Sequence, residues 1–267
     1  MKNTLLSLPG QTSQIYHMSK QNFYNLKIGA LNCHGLRDKI DYPEVHKLIC
    51  SCDIFGVSET WFGEDDDPSI KGYEFYPFNR KGNKGPIRGG IGWFIKSNLK
   101  EHIKLQEHIS DENFLWCKLS KNYFGFCDDL YICIVYIPPE SSTREKRINL
   151  DHFSRLTDIT KKIPSENIIL LGDFNARTNN LPDVFRGEKE EEYMDQVDFF
   201  SNIDTTRTNQ DSTINKYGRL LTEYCIASRS YITNGRTVGD LQGKYTCHEA
   251  NGSSTVDYAI VNENLKS

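Results

Sequence analysis

Residues 167 to 177, Asn-Ile-Ile-Leu-Leu-Gly-Asp-Phe-Asn-Ala-Arg, constrain the fold more than any other stretch of the chain. Four consecutive apolar residues, Ile168 to Leu171, cannot form a strand with one solvated face, because such a strand would alternate. They read as a short strand buried on both faces. Gly172 ends the run, and Asp173 and Asn175 follow two residues apart, so both point into one cleft if the backbone stays extended through Phe174. A carboxylate and an amide so placed can present oxygen to a metal or a phosphate. They can equally make turn chemistry, each bonding its own backbone, and the segment alone leaves both readings open.

The remaining composition supplies a core for such a strand. Hydrophobic residues make up 37% of the 267 before the 19 glycines are counted, which is well above the disordered range, and the length suits one large domain. No apolar run approaches the ~20 residues of a membrane span, and no basic start leads into an apolar stretch as in a secretion signal. A soluble, intracellular protein with no membrane partner is expected. The eight cysteines (33, 50, 52, 117, 127, 133, 225, 247) lie mostly within apolar periodic segments, which predicts buried free thiols rather than disulfides. Cys50-Ser-Cys52 lacks the second pair that a zinc site needs. The formal charge of −4 gives no global basic footprint for nucleic acid. Cations do gather locally, as Lys71, Arg80, Lys81, Lys84, Arg88, Lys96, Lys100 and Lys104 against Glu74 and Glu101, while Glu188 to Asp198 is mostly acidic. Such runs are most often plain solvated surface.

Residues 1–25 are polar with no sustained period and read as a flexible leader to a domain over 26–267. Strands are expected at Lys27–Leu31, Asp53–Ser58, Tyr73–Phe78, Gly90–Ile95, Phe114–Leu119 and Leu130–Ile137. Helices are expected at Asp41–Cys50, Arg144–Lys162 and Tyr217–Ala227. Asn234-Gly235 closes the last helical segment, and Asn251-Gly252 signals a hairpin between Tyr245–His248 and Thr255–Val261. Clustered strands with interspersed helices predict an α/β sandwich, two packed sheets with helices outside. Polar residues recur at strand ends: Asn32, Glu59, Tyr136, Asp173 with Asn175, and Asp257. Each alone fits a turn or cap, but together they fit one catalytic rim.

Several motifs carry a family resemblance. Leu31-Asn32-Cys-His-Gly35-Leu36, Ser58-Glu59-Thr60-Trp61, Arg88-Gly89-Gly90-Ile91, Tyr136-Ile-Pro-Pro139, Gly172-Asp173-Phe-Asn175-Ala-Arg177, Tyr245-Thr246 and Ser254-Thr-Val-Asp257-Tyr258 stand in the order of the endonuclease/exonuclease/phosphatase superfamily. Within it the chain resembles the endonuclease domain of non-LTR retrotransposons. The resemblance implies a four-layered α/β sandwich, Mg²⁺ (or Mn²⁺) as cofactor, DNA as partner and phosphodiester hydrolysis as activity. It further implies a reverse transcriptase domain in the parent element and a nuclear location. Glu59 resembles the principal metal ligand, with Asn32 and Asp257 close to the metal or its waters. Asp173 and Asn175 would position the attacking water and the phosphate, Tyr136 would donate its hydroxyl to a phosphate oxygen, and Arg88, Arg177 and Thr246 would bind substrate. Hard oxygen donors agree with such a cation, which neutralises charge on the phosphoryl oxygens.

The sequence departs from the pattern twice. His34 stands where the family has Asp or Asn, as a polar contact or a loop residue. The family's terminal Ser-Asp-His strand does not occur before Ser267, so a C-terminally truncated domain with impaired activity and an open sheet edge is expected. The competing readings are an inactive nucleic-acid-binding remnant and a phosphatase or sphingomyelinase of the same superfamily.

Overall fold

The computed structural model describes residues 26–63, 65–79, 88–142, 151–184, 206–250 and 252–265. The expected leader, the lysines at 81 and 84, the acidic run at 188–198 and the first turns of the helix expected at Arg144 lie outside them. In chain order the elements are β1 (Ile28–Asn32), α1 (Pro43–Cys50), β2 (Ile54–Ser58), β3 (Tyr73–Phe78), β4 (Ile91–Lys96), β5 (Ile103–Leu105), β6 (Phe114–Leu119), α2 (Lys121–Phe124) and β7 (Leu130–Tyr136). They continue with α3 (His152–Thr160), β8 (Ile168–Asp173), α4 (Lys216–Ala227), β9 (Ser230–Ile232), β10 (Cys247–Glu249), β11 (Gly252–Ser254) and β12 (Asp257–Asn262).

The apolar run is β8, and all six of its residues are buried. It lies inside a mixed six-stranded sheet of order β5-β6-β7-β8-β12-β9, parallel to β7 and antiparallel to β12. A mixed four-stranded sheet of order β1-β2-β4-β3 packs on it. Side-chain alternation divides the core into three seams. Ile28, Ile54 and Trp93 meet Leu115, Ile134 and Leu171 between the sheets. Val135 and Leu170 meet Phe153 and Leu156 of α3 and Leu221 and Cys225 of α4 on one outside. Leu31, Phe55 and Val57 meet Val45 and Ile49 of α1 on the other. The result is the four-layered sandwich that the resemblance implies.

The helices are short and fixed at their starts. The Asp151 side chain accepts from the Ser154 N–H at α3, and Asn215 accepts from the Gly218 N–H at α4, each satisfying a first-turn donor with no partner inside the helix. Pro43 opens α1, where a missing N–H costs nothing.

One expectation needs correction. Gly252 does open a strand of a hairpin, but the strands of that hairpin are β10 and β11. Residues 257–262 instead form β12 between β8 and β9, because Tyr258 and Ile260 bury into the helix-side seam while Ala259 and Val261 bury between the sheets. β9, β5 and α2 had no sequence signal; each is three or four residues long and held by tertiary pairing rather than by its own pattern. All eight cysteines are free, as expected, six buried and two, Cys50 and Cys127, exposed.

Candidate active site

Strand parity gathers the expected residues at one mouth of the sandwich. On β7, Ile132, Ile134 and Tyr136 face the seam between the sheets; on β8, Ile169 and Leu171 do so, and Asp173 follows on that face. Asn32 follows Ile28 and Ala30 in the same way, and Asp257 precedes Ala259 and Val261. Register aligns the ends, with Tyr136 and Asp257 both opposite Asp173, and Asn32 opposite Ser58, the residue before Glu59. A slip of one residue in β8 would turn Asp173 toward the helix seam and Leu170 toward the seam between the sheets.

Hydrogen bonds join the two sheets there. Asn32 Nδ2 donates to Glu59 Oε1 at 2.9 Å and to Asp173 Oδ2 at 2.7 Å, so one amide bridges a carboxylate from each sheet. Asp173 Oδ1 accepts from the Asn175 N–H at 2.8 Å, and Asn175 Nδ2 donates to the Ile137 carbonyl at 2.8 Å. Asn32 Oδ1 is occupied by the His34 N–H at 3.0 Å. The amide nitrogen of Asn32, not its oxygen, thus faces the carboxylates. In this geometry the Asn32 side chain positions Glu59 and Asp173.

Glu59 is held in a strained turn. His34 (φ 44°), Glu59 (φ 52°), Trp61 (φ 57°) and Asn175 (φ 47°) all adopt left-handed backbone, four of the six described non-glycine residues that do so. Each such residue costs on the order of 1–3 kcal/mol and persists only where its surroundings enforce it. Here they do. The Gly35 N–H donates to the Glu59 carbonyl at 2.8 Å, and the Thr60 and Trp61 N–H groups donate to the Gly90 and Gly89 carbonyls. A Cβ on Gly90 would stand 2.4 Å from Thr60 Oγ1, so only glycine permits this closeness. The Arg88 guanidinium stacks over the Trp61 ring, 4.8 Å from its centroid. Expected as a substrate contact, Arg88 is exposed at the mouth and already supported by an aromatic face.

The other expected residues divide into those that face the mouth and those that hold them. Thr246 is buried; its hydroxyl accepts from the Val256 and Asp257 N–H groups at 3.0 and 3.1 Å, so it fixes Asp257 from behind. Arg177 grips Asp211 through Nε and Nη2 at 2.7 and 2.6 Å. Burial opposes the charge on Asp211, but Arg177 and the N–H groups of Thr213 and Thr255 outweigh it and hold that carboxyl below its ordinary value. Arg177 therefore braces the loop after β8. Lys96 and Lys100 lie at the far end of β4, bonded to Asp53 at 2.7 Å and to Glu74 at 3.5 Å. Of the described cations in the basic stretch, Arg88 alone lies beside Glu59 through the paired Gly89 and Gly90. A cleft of about 1080 Å³ opens next to the mouth, with Asn175, Arg177 and Val256 on its near wall and the starts of α3 and α4 opposite.

Sequence reasoning missed several supporting residues. Asn113 Nδ2 donates to the Tyr136 carbonyl at 2.8 Å and its carbonyl accepts the Tyr136 N–H. Asn234, read as a helix stop, clasps β12 by donating to the Asp257 carbonyl and accepting from the Ala259 N–H. Asp211 had no signal at all, standing in a polar stretch without period.

A divalent cation fits these donors. Among the described residues no three His, Cys, Asp or Glu side chains form a ready-made cluster. Yet among the described residues Glu59, 9% exposed, has only the Asn32 amide and the His34 ring as side-chain partners and no Lys or Arg. A nearly buried carboxylate lacking a cationic partner, one amide away from a second covered carboxylate, is costly by itself and suited to a hard cation.

A two-sheet α/β sandwich with a carboxylate–amide–carboxylate link at its mouth is the architecture that the sheets and their hydrogen bonds define. Residues 29–267 match the Endonuclease/Exonuclease/phosphatase family, and the chain belongs to it. No curated protein sequence matches. Among solved structures, the chain is similar to the endonuclease domain of TRAS1, a telomere-specific non-LTR retrotransposon, at 11% identity and TM-score 0.53, over 89% of this chain and 85% of that one. It is also similar to the 3′ phosphatase NExo from Neisseria bound to a product DNA hairpin (15% identity, TM-score 0.57, 89% and 86% covered). The Xenopus laevis APE2 catalytic domain is a third such structure (15% identity, TM-score 0.57, 89% and 82% covered). At these identities the likeness concerns the fold.

Proposed function

We propose that the protein is a Mg²⁺- or Mn²⁺-dependent phosphodiester hydrolase that nicks DNA, of the retrotransposon endonuclease kind. The observation that carries this reading is the Asn32 bridge between Glu59 and Asp173, which holds two covered carboxylates from different sheets against their mutual repulsion. The cation, held by Glu59 with Asp257 close by, would neutralise charge on the scissile phosphate. Tyr136 and Asn175 would bond the phosphate oxygens, fixing phosphorus for in-line attack by water. Asp173, oriented through Oδ1 and Oδ2, would accept the water proton as the P–O3′ bond breaks. Arg88 would meet a backbone phosphate at the rim. The likeness to a retrotransposon endonuclease domain and to a 3′ phosphatase bound to a DNA hairpin supports DNA as substrate.

Supercoiled plasmid is the direct test. The chain is expected to convert it to open circles with Mg²⁺, to stop with EDTA, and to lose at least ~100-fold in rate on Glu59→Gln. Release of phosphate from a 3′-phosphorylated oligonucleotide without nicking would favour a phosphatase. DNA binding with neither activity would favour the inactive remnant.

A further inference from the structure

Resting on the metal-dependent reading and deepening it, we infer that His34 is a nitrogen ligand of the cation at Glu59, and that the site ranks Mn²⁺ and similar transition ions above Mg²⁺. His34 Nδ1 lies 3.2 Å from Glu59 Oε2. The two side chains are 56% and 12% exposed, so the imidazole occupies the open side of a nearly covered carboxylate. Donors at adjacent positions of an octahedral ion, each at about 2.1 Å, stand about 3 Å apart. The observed separation suits one shared cation as well as it suits a hydrogen bond.

The imidazole is placed by its surroundings. The His34 N–H is bonded to Asn32 Oδ1, and Lys39 Nζ donates to the carbonyls of Cys33 and His34 at 2.7 and 2.6 Å. The ring stands edge-on to Trp61 with centroids 4.9 Å apart. Gly35, next in the turn, has φ 89°, and a Cβ there would come 2.7 Å from the Trp61 ring. These contacts keep His34 in left-handed backbone and its ring on the carboxylate. Imidazole suits Mn²⁺, Co²⁺, Ni²⁺ and Zn²⁺, whereas Mg²⁺ prefers oxygen and retains its waters. A nitrogen at this position therefore changes the ranking of metals rather than simply adding affinity.

Pulsed electron paramagnetic resonance of the whole chain with Mn²⁺ as the probe reads the bond directly. A histidine ¹⁴N modulation is expected, converting to the ¹⁵N pattern when histidine is ¹⁵N-labelled and disappearing in His34→Asn. Asparagine is chosen because it tolerates left-handed backbone. Calorimetry on the same variant should show Mn²⁺ affinity falling on the order of tenfold or more, with Mg²⁺ much less affected. Mn²⁺ that binds, is lost in Glu59→Gln and gives no histidine signal would overturn the inference and leave the carboxylate site standing. Absence of Mn²⁺ binding, or binding unchanged in Glu59→Gln, would overturn both.

Discussion

At the scale of single residues, the site is built from groups whose hydrogen bonds are committed to one another. Thr246 illustrates this: its hydroxyl serves two consecutive backbone N–H groups, those of Val256 and Asp257, in a buried position. Thr246→Val keeps the shape and removes the acceptor, leaving two buried donors unmatched at about 1–3 kcal/mol each. Urea unfolding should show that loss, and activity should fall because Asp257 is no longer fixed. An unchanged midpoint would mean that the two N–H groups find other acceptors. The same commitment explains what could be read in advance. Asn32, Glu59, Tyr136, Asp173, Asn175 and Asp257 were legible because each stands at or just beyond one end of an apolar run. Thr246 and Arg177 were legible as motif members but not in their roles, since nothing in a sequence distinguishes a side chain facing substrate from one bracing the loop behind it.

At the scale of elements, period and burial made β6 and β7 readable to within a residue and fixed the start of β8, which runs two residues past the expected end. At β12 the sequence pattern misled, because Asn251-Gly252 marks a hairpin without saying how far its strands extend, whereas β9 pairs through tertiary context with no pattern of its own. Gly218 shows the converse, a residue that looks poor for its element yet is required there. Glycine in a helix costs about 1 kcal/mol relative to alanine, but a Cβ at this first-turn position of α4 would stand 1.9 Å from the Arg177 carbonyl. Gly218→Ala should therefore push α4 away from the loop that follows β8 and destabilise by about 1–3 kcal/mol, against the helix-propensity expectation. Thermal unfolding decides the sign. A raised melting temperature would show that the loop yields freely.

For the whole molecule, the loop after β8 is braced by the Arg177–Asp211 ion pair, whose carboxylate is covered and whose guanidinium is 32% exposed, and this gives stability a pH dependence. The Asp211 carboxyl is held below its ordinary value in the folded chain, so at acid pH the unfolded chain binds more protons. Its contribution is complete above the unfolded value of about 3.9 and declines as pH falls through the folded one. Asp211→Asn should lower stability at pH 7 and flatten its fall below about pH 4; an equal slope in both proteins would assign the acid sensitivity elsewhere. The central claim is that carboxylates from two sheets, joined by Asn32, act as one hydrolytic unit. Single-turnover cleavage of a labelled duplex with Mg²⁺ by wild type, Glu59→Gln, Asp173→Asn and the double variant tests this most directly. Members of one unit are non-additive, so the double variant should be scarcely slower than the slower single one. Losses that multiply, or a wild-type chain that leaves the duplex intact, would contradict it.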